Sequence, residues 1–394
     1  MNDKKYKIGI FVDNHLPRVD GVTVGVDSLA RILKDMVDLT VFTIKPHNMK
    51  VDDSVFPYKV VRCKSHAIPF GGNTDYDMPV PLFDRRFRKI VKNADLDLVH
   101  VQSPFAVGKV GLGYARKNKV PVVITMHSQF RHDFVKATKS RVLGELALKI
   151  VMQVFNACDE VWSVNEASKE VSLDYGIKRP LVTMENGTNM KPVSRVAAAN
   201  EINKQYNIDP KQKVLIFVGR LVTVKNIFFI AKVLKELKEK KFDFKMMFVG
   251  DGAEREKLQK KINEYGLADN VIFTGVVSDR EKLANYYARA DLFLFPSVYD
   301  TDGVVKKEAA CQKLPIICLE DTIVAKSIKD GVNAYIGAND PVLFADKIIA
   351  ALADPKAHKA ICGNAFRDLY ITWQETAEKT VERYAHLIKQ NQSS

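Results

Sequence analysis

Short apolar runs recur through the first half of the chain. They are "YKIGIFVD", "VDLTVFTI", "LDLVHVQ", "VPVVITMH", "DEVWSVN" and "LVTMEN", with helix-length segments between them. The runs are continuous and rich in Val, Ile and Phe, the pattern of parallel strands covered on both faces. Segments such as "GVTVGVDSLARILKDM" and "AVGKVGLGYARKN" supply the intervening helices. The rhythm breaks around "MKPVSRVAAANEINKQ", which reads as a linker, and then restarts with "KVLIFVGRL", "FKMMFVG", "NVIFTG", "DLFLFPS" and "PIICLE". Strand–helix alternation that restarts after a linker implies two α/β sheets, each doubly wound and Rossmann-like, facing across a cleft. The boundaries expected are 1–192 for the N-terminal domain and 200–374 for the C-terminal one. The tail "KQNQSS" reads as disordered.

Composition narrows the class. A chain of 394 residues exceeds one ordinary domain, and 46% hydrophobic with 27% charged residues describes a soluble globular protein. No apolar run approaches the roughly 18 residues of a membrane-spanning helix. The start "MNDKKYKIGIFVD" has too short an apolar core for a signal peptide and reads as a first strand. Five scattered cysteines without a CxxC pair argue against a disulfide framework or zinc site and place the chain in a reducing compartment, the cytoplasm. The net charge of +13 is uneven: residues 1–200 carry 30 Lys and Arg against 21 Asp and Glu. A basic N-terminal half fits either an anionic partner (a membrane surface, nucleic acid or a phosphorylated substrate) or a generic basic surface.

Ligands of doubly wound sheets bind beyond the carboxyl ends of the strands, so the residues there carry the functional reading. After "KVLIFV" come Gly219, Arg220 and, five residues on, Lys225 before a helix; two cations at a helix start suit a diphosphate, or else are solvated surface charges. After "DLFLFPS" comes "YDTDGVVKKEAA", with Asp300 and Glu308 on either side of Gly303. A helix starting near Gly303 puts Glu308 in its second turn. Carboxylates so placed suit vicinal hydroxyls of ribose or sugar, while Asp300 could equally be a helix N-cap.

These residues resemble a known family. "GRL…K", "GDG…R…L", "ADLFLFPS" and an acid followed after seven residues by Glu in "EAAC" look like the retaining GT-B glycosyltransferases of family 4. "DTDGVVKKEAA" is similar to the "ETQGL…EAM" pattern of the branch that includes bacterial diacylglycerol glucosyltransferases. The resemblance runs from Tyr6 to about Tyr384 and takes in "DGVTVGVDSLARIL", "HVQSPFAVG", "VVITMHSQF" and "ENGTN". It implies a GT-B architecture whose C-terminal helix, 375–394, packs back on the N-terminal domain. Its donor is a nucleotide sugar, with UDP-glucose expected and no metal or other cofactor required. By position, Arg220 and Lys225 would bind the diphosphate and Glu308 the ribose. Asp300 with Thr301, Asp302 and Gly303 would hold the sugar, with Val304 and Val305 near the phosphates. Gly21, in the loop after the first strand, would bring amides to the distal phosphate, and His127 would face the transferred sugar, the alternative for a lone histidine being a place in the core. Asp300 replaces the family's usual Glu and is one methylene shorter.

Weaker signals point to the acceptor. "KSRVLGELALKIVMQVF" is apolar except for the stripe Arg141, Glu145, Lys149 and Gln153, so it is either buried or lies against a membrane. With Arg85 and Arg86 in "RRFRK", and Arg131, His132, Lys136 and Lys139, it makes an acceptor and membrane side suited to an anionic bilayer. The expectation is a hexosyltransferase of the cell envelope, peripheral on the inner membrane face, acting on a lipid such as diacylglycerol. The same reaction on a soluble acceptor and a nucleotide-sugar epimerase of GT-B fold remain alternatives. No nucleic-acid-binding motif supports the third explanation of the charge. "DTD" at 300–302 does not stand out as a metal site, since "DYD" at 75–77 and "DLD" at 95–97 match the same pattern equally well. "GDGAER" lacks the third glycine of a dinucleotide fingerprint and reads as a tight strand-to-helix turn.

Overall fold

The computed structural model describes residues 5–67 and 77–393, and it divides into two units. One runs to Gly187 and resumes at Trp373; the other is Thr188–Thr372.

Among the described residues, the first unit holds a seven-stranded sheet. Its spatial order is Lys59–Cys63, Asp38–Ile44, Lys7–Phe11, Leu98–Val101, Val122–Met126, Glu160–Ser163 and Leu181–Thr183. Every pairing is parallel. The strand interiors are buried on both faces, which is why they lack alternation. One face packs on the helices Arg85–Lys92, Ala106–Asn118 and Arg141–Phe155 through Phe87, Val107, Leu148 and Phe155. The other packs on Gly21–Met36 and the C-terminal helix Trp373–Gln392 through Val26, Leu33, Trp373 and Tyr384. Arg383 donates to Glu160 at 3.0 Å and helps hold that last helix. Lys389–Gln392 therefore continue a helix, and the disordered tail expected from "KQNQSS" is corrected there; Ser394 lies outside the described residues.

The second unit carries a six-stranded parallel sheet in the order Val271–Gly275, Phe244–Val249, Lys213–Val218, Leu292–Phe295, Ile316–Leu319 and Tyr335–Gly337. The expected linker is not one. Its sequence contains the helix Arg195–Tyr206, whose Ala198 and Ile202, four residues apart, are buried against this unit. "GDGAER" is a tight turn into the helix Arg255–Glu264. A Cβ on Gly250 would lie 2.1 Å from the Gly219 carbonyl oxygen, so this crossing of two strand ends admits only glycine there.

In each sheet the winding reverses once: between Lys7–Phe11 and Leu98–Val101 in the first, and between Lys213–Val218 and Leu292–Phe295 in the second. Those reversal points open a crevice at the carboxyl edge, the place where such sheets bind ligands.

Candidate active site

At the second unit's reversal point, the chain leaving Lys213–Val218 passes Gly219 and exposed Arg220, then makes a single turn at Thr223–Lys225 before the helix Ile227–Glu239. The chain leaving Leu292–Phe295 reaches Asp300 beside it. The Lys225 Nζ lies 2.6 and 2.7 Å from the two Asp300 carboxylate oxygens, bridging the crevice. Both side chains keep about a fifth of their surface exposed (20% and 16%), so the pair faces the crevice mouth.

The helix Val304–Cys311 follows. Its N-cap is Gly303, with φ of +65° and no side-chain cap, so Asp300 does not cap it. A Cβ at Gly303 would meet Phe295 Cζ at 2.8 Å, and the positive φ independently favours glycine. Thr301, Val304 and Val305 are half-buried around this uncapped N-terminus, whose first amides lack intrahelical partners. Glu308 lies in the second turn. Its carboxylate accepts from Arg280 Nη2 at 2.6 Å and from the Tyr287 hydroxyl at 3.0 Å. Burial, then the neighbouring Glu308 charge, pushes the Tyr287 phenol well above its usual range and keeps it a neutral donor. Asp302 is buried and accepts from Lys307 Nζ at 2.9 Å, while Lys306 Nζ donates to Ser327 at 2.8 Å.

In the first unit, Gly21 is the first residue of the helix Gly21–Met36, not a loop residue. Asp20 and Thr23 form a reciprocal capping box there, and a Cβ on Gly21 would meet nothing within 4 Å. His127 follows Val122–Met126 directly, at the carboxyl edge, and its Nε2 is 2.6 Å from Gln102 Oε1. Behind them His100 is buried and pushed down to about 3 by desolvation and then by His127.

The basic residues assigned to the acceptor side divide. Arg131 is tied down: it pairs with Glu145 at 2.7 Å and with Asp174, and stacks on Tyr175 at 5.0 Å. It joins the helix Phe130–Thr138 to its neighbours. His132, Lys136 and Lys139 are exposed, His132 lying 3.7 Å from Asp133. Arg85 and Arg86 are exposed on the helix Arg85–Lys92. Beside that helix runs a groove of about 1190 Å³, floored by Val91, Val110 and Tyr114 and edged by Phe83, Phe105, Arg88, Lys89 and Lys109. Phe83 is 86% exposed and Leu82 67%. The helix Arg141–Phe155 is neither fully buried nor polar outside: Val142, Leu143, Leu146 and Ile150 are exposed along it.

Among the described residues no group of three or more His, Cys, Asp or Glu is arranged to hold a metal ion. The first two residues of "DYD" lie outside the described residues.

Residues 198–368 match the family of glycosyl transferases group 1, and residues 19–191 match glycosyltransferase family 4. The chain belongs to the GT-B glycosyltransferases. An alpha-monoglucosyldiacylglycerol synthase of Streptococcus pneumoniae is 25% identical over 356 residues, covering 88% of this chain and 78% of the relative. A GDP-mannose-dependent alpha-mannosyltransferase of Corynebacterium glutamicum is 23% identical, covering 98% and 90%. Anabaena HepE, solved in complex with UDP and glucose, superposes with a TM-score of 0.75 at 17% identity, covering 96% of this chain and 99% of that one.

Within this glycosyltransferase, sequence reasoning missed Arg280, Tyr287, Lys306 and Lys307. Two lysines inside the apolar helix "VVKKEAAC" are a legible signal, since buried lysines are rare unless paired. Arg280 and Tyr287 stand seven apart in one helix and so share a face. Gln102 and His100 lie inside "HVQSPFAVG", a motif that carries the resemblance, but nothing in the sequence shows that their side chains meet.

Proposed function

We propose that this glycosyltransferase moves a glucosyl unit from a UDP-sugar, with retention, to a hydroxyl of a membrane lipid such as diacylglycerol. The observation that carries the donor half is the Lys225–Asp300 pair across the second unit's reversal point, beside an uncapped helix N-terminus. On this reading Lys225, Arg220 and the amides near Val304 and Val305 stabilise the negative charge that grows on the departing diphosphate. Glu308 takes the ribose hydroxyls, and Asp300 with the loop Thr301–Gly303 holds the sugar. The bond from the sugar's anomeric carbon to the phosphate oxygen breaks as the acceptor oxygen attacks from the same face. The acceptor's proton passes to the departing phosphate, so no protein nucleophile is invoked. Two fixed cations supply the charge a metal would bring, and the reading requires none.

The acceptor half is supported by the activity for which the Streptococcus pneumoniae relative is named and by the basic-edged apolar groove beside Arg85–Lys92. Among the described residues no helix is long and apolar enough to cross a membrane. The reading therefore gives a peripheral enzyme whose Arg85, Arg86, Lys136 and Lys139 meet anionic headgroups on the inner face of the cell membrane. The Corynebacterium relative keeps GDP-mannose open as a second donor.

The test is nucleotide release from UDP-, GDP- and ADP-sugars, with and without vesicles containing diacylglycerol and anionic lipid. Release from one UDP-sugar that rises with vesicles is expected. Release indifferent to vesicles moves the acceptor to soluble glycans, and an altered nucleotide sugar without acceptor identifies an epimerase.

A further inference from the structure

At the carboxyl edge of the first sheet, a line of hydrogen bonds runs inward from His127 and ends on the C-terminal helix. His127 Nε2 lies 2.6 Å from Gln102 Oε1, and Gln102 Nε2 lies 3.0 Å from His100 Nε2. The same His100 nitrogen is 2.7 Å from Thr125 Oγ1, and its Nδ1 is 2.5 Å from the Tyr384 hydroxyl. His100, Gln102, Thr125 and Tyr384 are all buried. The inner end is held rigidly: Tyr384 stacks on Trp162 at 5.6 Å, and His100 meets Trp162 edge-on at 4.8 Å.

The proton positions along this line follow from donor and acceptor inventory. His100 is fully desolvated and neutral at any physiological pH, so it carries one ring proton. An amide nitrogen can only donate. The Gln102 amide nitrogen lies over the His100 ring face, 3.0 Å from Nε2 and 3.4 Å from Nδ1, and points its N–H at the neutral ring, while the Thr125 and Tyr384 hydroxyls, each able to donate or accept, hold the two ring nitrogens. With its amide nitrogen committed inward, Gln102 presents only its carbonyl oxygen to His127. That oxygen can only accept, so His127 carries a proton on Nε2.

We propose that Gln102 is a positioning residue for catalysis, holding His127 in the Nε2–H form and in one ring orientation, with Tyr384 of the helix Trp373–Gln392 as the anchor of the line. The proposal rests on the functional reading in which His127 faces the transferred sugar. It gives the C-terminal helix a task beyond packing: its Tyr384 hydroxyl holds the His100 ring on which the Gln102 amide rests. A ring tautomer set by the hydrogen bond at its other nitrogen is how histidines are commonly oriented at working sites.

The test has a spectroscopic arm and a kinetic arm. Long-range proton–nitrogen correlation on protein labelled at its eight histidines reports each ring's tautomer without requiring turnover. Wild type is expected to show His127 protonated at Nε2. Gln102→Leu should shift the His127 ring-nitrogen signals away from those of the wild-type Nε2–H form and lower kcat about tenfold, roughly 1.4 kcal/mol of barrier, while the donor KM stays within about twofold. Tyr384→Phe keeps the ring stack and removes only the hydroxyl that holds His100; it should loosen the His100 ring and shift the His127 signals in the same direction. It also serves as the second variant if Gln102→Leu fails to fold. A wild-type His127 protonated at Nδ1 alone, or His127 signals that neither variant moves, overturns the proposal. If no donor is turned over while the His127 tautomer is as stated, the functional reading fails and the hydrogen-bond assignment stands.

Discussion

Lys225 and Asp300 offer the sharpest test of the donor site, because one residue is assigned to the phosphates and its partner to the sugar. Both charges are part-exposed, so Lys225→Ala should cost no more than about 1 kcal/mol of stability, and the variant should fold. A charge-assisted hydrogen bond to a phosphate oxygen is worth about 1.5–3 kcal/mol, so UDP should bind roughly 10- to 150-fold more weakly. Asp300→Asn acts in the opposite direction on UDP. Removing a negative charge 2.6 Å from Lys225 takes repulsion away from the diphosphate, so UDP should bind as well as to wild type or better. Turnover of the UDP-sugar should nevertheless fall if, as proposed, that carboxylate accepts from the sugar hydroxyls. Isothermal titration of UDP and of the UDP-sugar against wild type, both single variants and the double variant separates the two roles. UDP affinity of Lys225→Ala within about twofold of wild type would refute the phosphate assignment. A parallel loss of UDP and UDP-sugar affinity in Asp300→Asn would show that Asp300 acts only by holding Lys225.

Three further outcomes follow from the same geometry. Glu308→Gln keeps the Tyr287 hydroxyl contact but loses the charge beside Arg280; donor KM should rise about tenfold with little change in melting temperature, and wild-type kinetics would remove Glu308 from the ribose site. Phe83→Glu places a charge on the most exposed aromatic edge of the basic groove; partition into anionic vesicles, read by co-sedimentation, should fall at least about tenfold, and unchanged binding would move the membrane contact elsewhere. Acid should destabilise the fold early: burial holds His100 at about 3 and His15 at about 4, both below the unfolded value of 6.5. The unfolded state therefore binds the extra protons, stability is fully present above pH 6.5, and it is lost as pH falls toward those folded values. Between pH 7 and pH 5 each histidine should remove about 2 kcal/mol, measured by urea unfolding at the two pH values; a flat profile would mean that the rings are solvated.

The sheets were legible because parallel strands covered on both faces are written as uninterrupted Val, Ile and Phe. "KVLIFV", "FKMMFV" and "LFLF" could be little else. What escaped were edge strands. "KVVRC" pairs on one side only and places Arg62 where it can bond the Ile44 and Leu16 carbonyls, so its composition is mixed. "YIG" is three residues long and too short for any periodicity. The helix in the supposed linker was hidden for another reason: it buries only Ala198 and Ile202, and an alanine-rich segment with so narrow an apolar face carries little periodic signal. In the site, sequence distance set the limit. Lys225 and Asp300 were each visible at a strand end, but their contact spans 75 residues and exists only because the sheet order brings those two strands together.

That contact also bears on why carboxylates can stand at a site proposed for a diphosphate. A bare acid there would repel the ligand, yet each acid of "DTDGVVKKE" has a cation against it: Lys225 on Asp300, Lys307 on Asp302 and Arg280 on Glu308. The two Asp302 and Lys307 side chains are nearly inaccessible and act within the fold, stiffening the loop that leads into Gly303. Of the other two pairs, Lys225–Asp300 opens to solvent at both partners, so Asp300 can accept from hydroxyls while Lys225 cancels its charge, whereas Glu308 is buried beneath an exposed Arg280. The aspartate at position 300 fits this arrangement. Its short side chain presents both oxygens to Lys225 at nearly equal distance, which fixes the ammonium against the acid that the proposal gives to the sugar. A glutamate would bring one more rotatable bond and less certainty about where that ammonium sits. Asp300→Glu is thus the substitution that separates geometry from charge: if the carboxylate's position sets sugar choice, the variant should keep UDP affinity and change the ratio of turnover between UDP-sugars, and an unchanged ratio would assign sugar choice to other residues.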